Sequence, residues 1–209
     1  MEIQITSTCF EDLDKYLKGA KKSALIYICA KPGMGMKTFA KAFTEDIEFS
    51  KIKGNCQIFW LFEFCRKNEM TISQIKQKVE NKKSDGVYID CLQLIAPDIN
   101  RENKIQEISE ISYQLNQMAK ELDVLVVCTV QMPEYEGKPT LKDLLKIGSV
   151  VQDADIIMFL HRDDITEKNM DNIDPDITKL IIAKNRYGDT GTIELKYNSE
   201  TNQFTEMDD

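Results

Sequence analysis

Hydrophobic and polar positions follow two different periods along the chain, and the switches between them mark its elements. Short, mostly apolar runs at Leu25–Cys29, Gln57–Phe62, Val87–Ile89, Val124–Val130 and Asp155–His161 are bounded by glycine or polar residues. Such runs predict strands buried on both faces, as in a parallel sheet covered by helices. Between them the period lengthens. Phe39, Ala40 and Phe43 predict a helix continuing to about Phe49, and Thr71–Asn81 predicts a shorter one. Ile105, Ile108, Ile111, Leu115, Met118 and Leu122 predict the clearest helix, its apolar stripe turned to the core. Thr8-Cys9-Phe10-Glu11 has capping-box spacing and predicts a helix over Glu11–Leu17. Leu141–Lys146 predicts another, after a loop rich in Pro, Glu and Gly. Lys179–Lys184 and Thr192–Tyr197 flank Tyr187-Gly188-Asp189, a hairpin signal. Arg162–Asp176 is acidic and aperiodic, the pattern of an exposed loop.

Strands alternating with helices imply an α/β fold whose ligand crevice lies at the carboxyl ends of a parallel sheet. After Leu25–Cys29 comes Lys31-Pro32-Gly33-Met34-Gly35-Met36-Lys37-Thr38, then a helix. Strand, glycine-bearing loop, Lys-Thr and helix is the context of a phosphate-binding loop. Backbone N–H groups around Gly33 and Gly35 would wrap a phosphate at the helix's positive end. Lys37 would reach the outer phosphates and the Thr38 hydroxyl would ligate magnesium. The usual spacing puts glycine directly before the lysine, whereas here Met36 intervenes. Either a residue is inserted after Gly35 or Met36 replaces the glycine. The plainer alternative is an ordinary strand–turn–helix with no ligand at all. Against it, Glu63, Asp90 and Gln131 also fall just past predicted strand ends, beside Lys37.

Composition narrows the field. The 209 residues suit one α/β domain, and 42% hydrophobic with 30% charged residues is ordinary for a globular chain. A net charge of −8 is unhelpful for holding a polyanion, so nucleic-acid binding would need a local basic groove. Six cysteines without C-x-x-C pairing are expected as free thiols of a reducing cytosol. The single histidine, His161, closes an apolar strand; it excludes histidine-rich zinc sites and most histidine-based triads. Nothing at the N-terminus resembles a signal peptide and no apolar run is long enough to span a membrane, so a cytoplasmic protein is expected.

The order of motifs resembles the C-terminal, RecA-like motor domain of DnaB-type replicative DNA helicases. Phe10-Glu11-Asp12-Leu13-Asp14 is similar to that family's lead-in and Ala30-Lys31-Pro32-Gly33-Met34-Gly35 to its P-loop. Ile89-Asp90-Cys91-Leu92-Gln93-Leu94-Ile95 is similar to its Walker B segment. Val151-Gln152-Asp153-Ala154-Asp155 with Phe159-Leu160, and Ile182 to Gly188 with Thr190-Gly191-Thr192, match its later blocks. The resemblance implies a RecA-like P-loop NTPase fold, a mainly parallel sheet flanked by helices with a C-terminal antiparallel hairpin. It implies ATP and Mg²⁺ as cofactors. By resemblance Asp90 holds the metal together with Thr38, Glu63 activates the attacking water, and Gln131 senses the γ-phosphate. Lys184 and Arg186 match the basic pair that reaches the neighbouring subunit's nucleotide, which implies a homo-oligomer, such as a hexamer, or a place in a helicase ring.

The chain also departs from the pattern. The interval from Glu63 to Asp90 is short, and the N-terminal helical domain and linker helix are absent, so a single RecA-like domain over residues 1–209 is expected. The segment associated with gripping single-stranded DNA reads Asp143-Leu144-Leu145-Lys146-Ile147-Gly148, with Leu145 where the family has arginine. Tyr113 and Asn116 stand where it has basic residues. Two functions follow. One is a replicative helicase ATPase core acting on single-stranded DNA, which it would hold weakly on its own. The other is a degenerate nucleotide-binding module that regulates or caps a helicase ring.

Overall fold

Side chains of the central strand, β2 (Leu25–Ala30), divide by parity between two apolar cores. Leu25, Tyr27 and Cys29 enter one, Ile26, Ile28 and Ala30 the other, all buried. The same alternation runs through β6 (Leu125–Gln131) and β7 (Ile156–His161), so an unbroken apolar run is a two-faced strand. The computed structural model describes residues 3–50, 56–61, 70–99, 101, 103–163, 176–198 and 200–207.

Among the described residues, eight strands form the main sheet, in the order β10-β9-β8-β7-β2-β6-β5-β4. The further members are β4 (Ile58–Leu61), β5 (Gly86–Ile89), β8 (Ile177–Asn185), β9 (Gly191–Asn198) and β10 (Gln203–Glu206). Strands β4, β5, β6, β2 and β7 are parallel, while β8, β9 and β10 add antiparallel to the β7 edge. This is the expected arrangement, a parallel sheet continued by a C-terminal hairpin, with one strand more than the sequence pattern announced.

One face is covered by α1 (Glu11–Leu17) and α2 (Met36–Glu45), the other by α3 (Ile72–Lys82), α4 (Lys104–Leu122) and the short α5 (Leu141–Leu144) and α6 (Val150–Asp153). Along α4, Ile108, Ile111, Leu115, Met118 and Ala119 face the core, but Ile105, at the head of the predicted stripe, is exposed. Asn116 is buried and donates to the Asp153 carbonyl at 2.8 Å. It therefore closes the C-terminal end of α6 and presents nothing to a strand of DNA; Tyr113 alone of the two is exposed.

Three local expectations are corrected. Helix α2 ends at Glu45, not near Phe49; Glu48–Phe49 form β3, which pairs with β1 (Ile5–Ser7) in a separate two-stranded sheet. Residues 141–146 divide into α5 and a 3₁₀ turn over Leu145–Ile147. Helix α1 has the predicted limits but another cap. Its N-cap is Phe10, and Thr8 turns to the Asp14 carboxylate at 2.8 Å. The N–H groups of Glu11 and Asp12 donate instead to the Glu206 carboxylate, at 2.9 and 2.6 Å. A carboxylate at a helix N-terminus satisfies orphan donors and meets the dipole; here it arrives from the far end of the chain.

Candidate functional site

Gly33 and Gly35 both adopt positive φ, +84° and +77°, in the loop between β2 and α2. Only glycine takes such angles without strain, and with them the loop turns back toward the sheet edge. Gly35 is the N-cap of α2 and Met36 its first helical residue. The turn is thus made by Gly35 itself, and Met36 does not take the glycine's role. The residue that directly follows the turning glycine is a methionine, and Lys37 and Thr38 stand one and two helical steps further round.

The loop opens onto a cleft of about 430 Å³ lined by Lys31, Pro32, Gly33, Gly35, Met36, Lys37, Thr38, Asp90 and Gln131, with Cys91 and Leu94 as its apolar wall. That size suits a small ligand, and its position at the carboxyl ends of β2, β5 and β6 is where an open α/β sheet binds one. Of the loop residues expected there, Met34 packs instead against the core. Glu63 lies outside the described residues.

Asp90 follows β5 with its side chain 5% exposed. Its Oδ1 accepts from Thr129 Oγ1 at 2.7 Å, and its Oδ2 pairs with Lys37 Nζ at 2.7 Å. The Lys37 side chain is 62% exposed and spans the cleft to reach it. Thr38 turns elsewhere: its hydroxyl donates to Asn202 Oδ1 at 3.1 Å, which also accepts from Tyr197 OH at 2.8 Å. Thr38 and Asp90, the expected metal pair, both line the cleft; one oxygen of Asp90 holds an ammonium and the Thr38 hydroxyl faces the β9–β10 turn.

Two further cleft residues are braced by neighbours. Gln131 and Gln93 interlock: Gln93 Nε2 donates to the Gln131 carbonyl at 2.7 Å, and Gln131 N–H donates to Gln93 Oε1 at 3.2 Å. Lys31 Nζ donates to the Tyr135 carbonyl at 2.8 Å, lies 4.1 Å from that ring's centre and 3.6 Å from the exposed Glu134 carboxylate. Its charge is thus drawn toward the loop beyond β6. The Cys91 thiol is pushed up from its ordinary pKa by burial and then by the Asp90 charge, so it lines the cleft as a neutral thiol.

The basic pair lies elsewhere. Lys184 Nζ donates to the carbonyls of Val151 and Ala154, at 2.6 and 2.5 Å. Arg186 donates to Asp155 Oδ1 at 2.9 Å and to the Gln152 carbonyl at 2.6 Å. Together they satisfy carbonyls at the end of α6, while buried Asp155 also accepts from the Leu25 N–H at 2.9 Å. Neither side chain enters the cleft of its own chain.

Residues 62–206 match the family described as the DnaB-like helicase C-terminal domain. The chain belongs to that family. It is 29% identical to the replicative DNA helicase DnaB of Geobacillus stearothermophilus, across 99% of this chain and 58% of the relative. The alignment runs to 264 positions, so this DnaB-like domain lacks segments that the relative carries. It is 38% identical to a probable plasmid replicative DNA helicase of Chlamydia psittaci, across 64% of this chain and 30% of that protein. The matches thus span between 30% and 58% of the length of these relatives. Among solved structures it resembles one described as an ATPase domain, with a TM-score of 0.81 at 24% identity over 97% of this chain and 91% of the other. A DnaB-like replicative helicase studied with primase gives a TM-score of 0.79 at 24% identity, over 97% of this chain and 63% of that one. At those identities the likeness establishes the RecA-like fold alone. The described residues contain no helix long and apolar enough to cross a membrane.

Sequence reading missed Gln93 as a brace, the wall residues Cys91 and Leu94, and the cover formed by Asn202 and Phe204. A Cβ at Gly35 would lie 2.8 Å from the Phe204 ring, so β10 presses directly on the loop. Nothing periodic marked that strand, because Phe204 is its only buried residue.

Proposed function

We propose that this domain is the ATP-binding core of a DnaB-like helicase and acts on single-stranded DNA in replication. The observation that carries the reading is the convergence of the Gly33–Gly35 loop, the start of α2, Lys37, Asp90 and Gln131 on one cleft. Loop and helix-start N–H groups receive the phosphates, and Lys37 supplies the positive charge at their outer end. Gln131, held by Gln93, reports the terminal phosphate, and Glu63 is the base for the attacking water. Lys184 and Arg186 complete a neighbour's site in a ring; to do so they must leave the carbonyls and Asp155 that hold them within one chain.

The second reading, a nucleotide-binding module that regulates or caps a helicase ring, is favoured by that engagement and by Leu145. Leu145 is 48% exposed on the turn where a phosphate-gripping arginine was expected. Single-stranded-DNA-stimulated ATP hydrolysis separates the two. A motor core gives a rate that rises with DNA and with protein concentration. A regulatory module binds nucleotide with no DNA-dependent turnover.

The trans assignment has its own test. A mixture of Glu63→Gln and Arg186→Ala proteins should recover part of the parent rate, because a mixed interface pairs an intact base with an intact guanidinium. A mixture as silent as its parts, beside a parent whose rate does not depend on concentration, removes Lys184 and Arg186 from the site.

A further inference from the structure

We propose that Lys37 takes the place of the divalent cation in this site, so that nucleotide is bound without a requirement for magnesium. The inference rests on the nucleotide reading above and changes what the cleft asks of its ligand.

Position along the helix is the first ground. A phosphate-binding loop places lysine directly after its turning glycine and a hydroxyl residue directly after the lysine. Here the turning glycine is Gly35, by its φ of +77° and its place as the N-cap of α2. The next two residues are Met36 and Lys37. The lysine thus stands where the metal-holding hydroxyl is ordinarily placed, and Thr38 is carried a further step round α2, where it meets Asn202.

Charge supports the same assignment. A carboxylate as buried as Asp90 needs a positive partner, and in a magnesium site the metal provides it. Lys37 Nζ already provides it, 2.7 Å from Oδ2, while Thr129 occupies Oδ1. A magnesium ion at the same carboxylate would either displace the ammonium or sit beside a like charge. The ammonium is a compact point charge with three donors, so it can hold Asp90 and still donate to a phosphate oxygen on its open side. That leaves Met36 as an apolar side chain at the lysine's ordinary place, partly buried against the core and unable to donate to phosphate.

Calorimetric titration of the whole chain with a non-hydrolysable ATP analogue, in chelator and again in magnesium, tests this directly. The two affinities should agree within about threefold. Lys37→Thr returns a hydroxyl beside Asp90 and frees the carboxylate, so its affinity should become magnesium-dependent by about tenfold or more. Lys37→Arg keeps the charge and should remain indifferent to the metal, which guards against a Lys37→Thr protein that fails to fold. A parent that loses tenfold or more in chelator overturns the proposal and leaves the nucleotide reading standing. A Lys37→Thr protein that folds and stays indifferent to magnesium also overturns it, because the indifference then has another source. If the parent binds the analogue in neither condition, both readings fall together.

Discussion

Two clusters of the same chemistry sit at opposite ends of this domain. In each, a buried aspartate beyond the parallel strands meets a basic residue. Asp90 meets Lys37, whose side chain is 62% exposed over an open cleft. Asp155 meets Arg186, but that guanidinium also takes a carbonyl of α6, Asp155 also holds the first N–H of β2, and Lys184 caps two more carbonyls alongside. The first cation lies over an open cleft, while the second, though partly exposed, already has its acceptors within the chain. A basic residue in a motif is thus a binding group or a brace according to how many acceptors the fold has already placed around it.

The contrast breaks most visibly at Gly35. Alanine there takes a positive φ that L residues resist by roughly 1–2 kcal/mol, and its Cβ enters the Phe204 ring. With the overpacking added, Gly35→Ala should lower unfolding stability by about 2–4 kcal/mol in urea titration. A change below about 0.5 kcal/mol would mean that β10 does not press on the loop.

The brace comes next. Asp155→Asn should cost about 2 kcal/mol, less than a fully buried pair because Arg186 is partly exposed. Arg186→Ala should cost about 1–2 kcal/mol, and the double variant should cost less than the sum. If Arg186→Ala leaves stability untouched, the arginine is free to serve a neighbour and the contrast with Lys37 disappears.

At the cleft the effect should fall on the ligand. Lys37→Ala should lower affinity for the ATP analogue by about tenfold or more, as expected when one strong charge-assisted contact is lost. An unchanged affinity in calorimetry would show that the cleft does not use its cation.

The smallest effect concerns acid. Asp143 is held down at a pKa of about 2 by Lys146 and then by Thr140, which bond its carboxylate. Its pKa is lower folded than unfolded, so its contribution is complete above the ordinary carboxylate pKa near 4. It is lost as pH falls through about 2. Asp143→Asn should therefore flatten the acid limb of the stability profile between those values. A limb of unchanged slope would place the Lys146 and Thr140 contacts elsewhere in solution.

Much of this was legible in the sequence, for local reasons. Leu25–Cys29 and Val124–Val130 lie at the centre of the sheet, where every position is buried and all but Thr129 are apolar. The α4 stripe was legible except at Ile105, which is exposed. The glycine loop and Asp90 were legible because backbone conformation and strand ends leave marks in a few consecutive residues. The reach of Lys37 was not, since one helical step decides which way a side chain points, and the number of residues to the nearest glycine does not reveal where a helix begins.

By itself, then, the sequence determined the parallel core, the long helix, the hairpin and the place of the loop, all of which follow from short apolar runs, the 3.6-residue period and glycine. Only tertiary structure decided that Glu206 caps α1, that Phe204 closes on Gly35, that Asn116 is buried, and that Lys184 and Arg186 are bound to α6. Each of those is a polar group or single ring finding a partner far along the chain. Such pairings depend on which orphan donors and acceptors the packed elements leave side by side, and no local pattern encodes that.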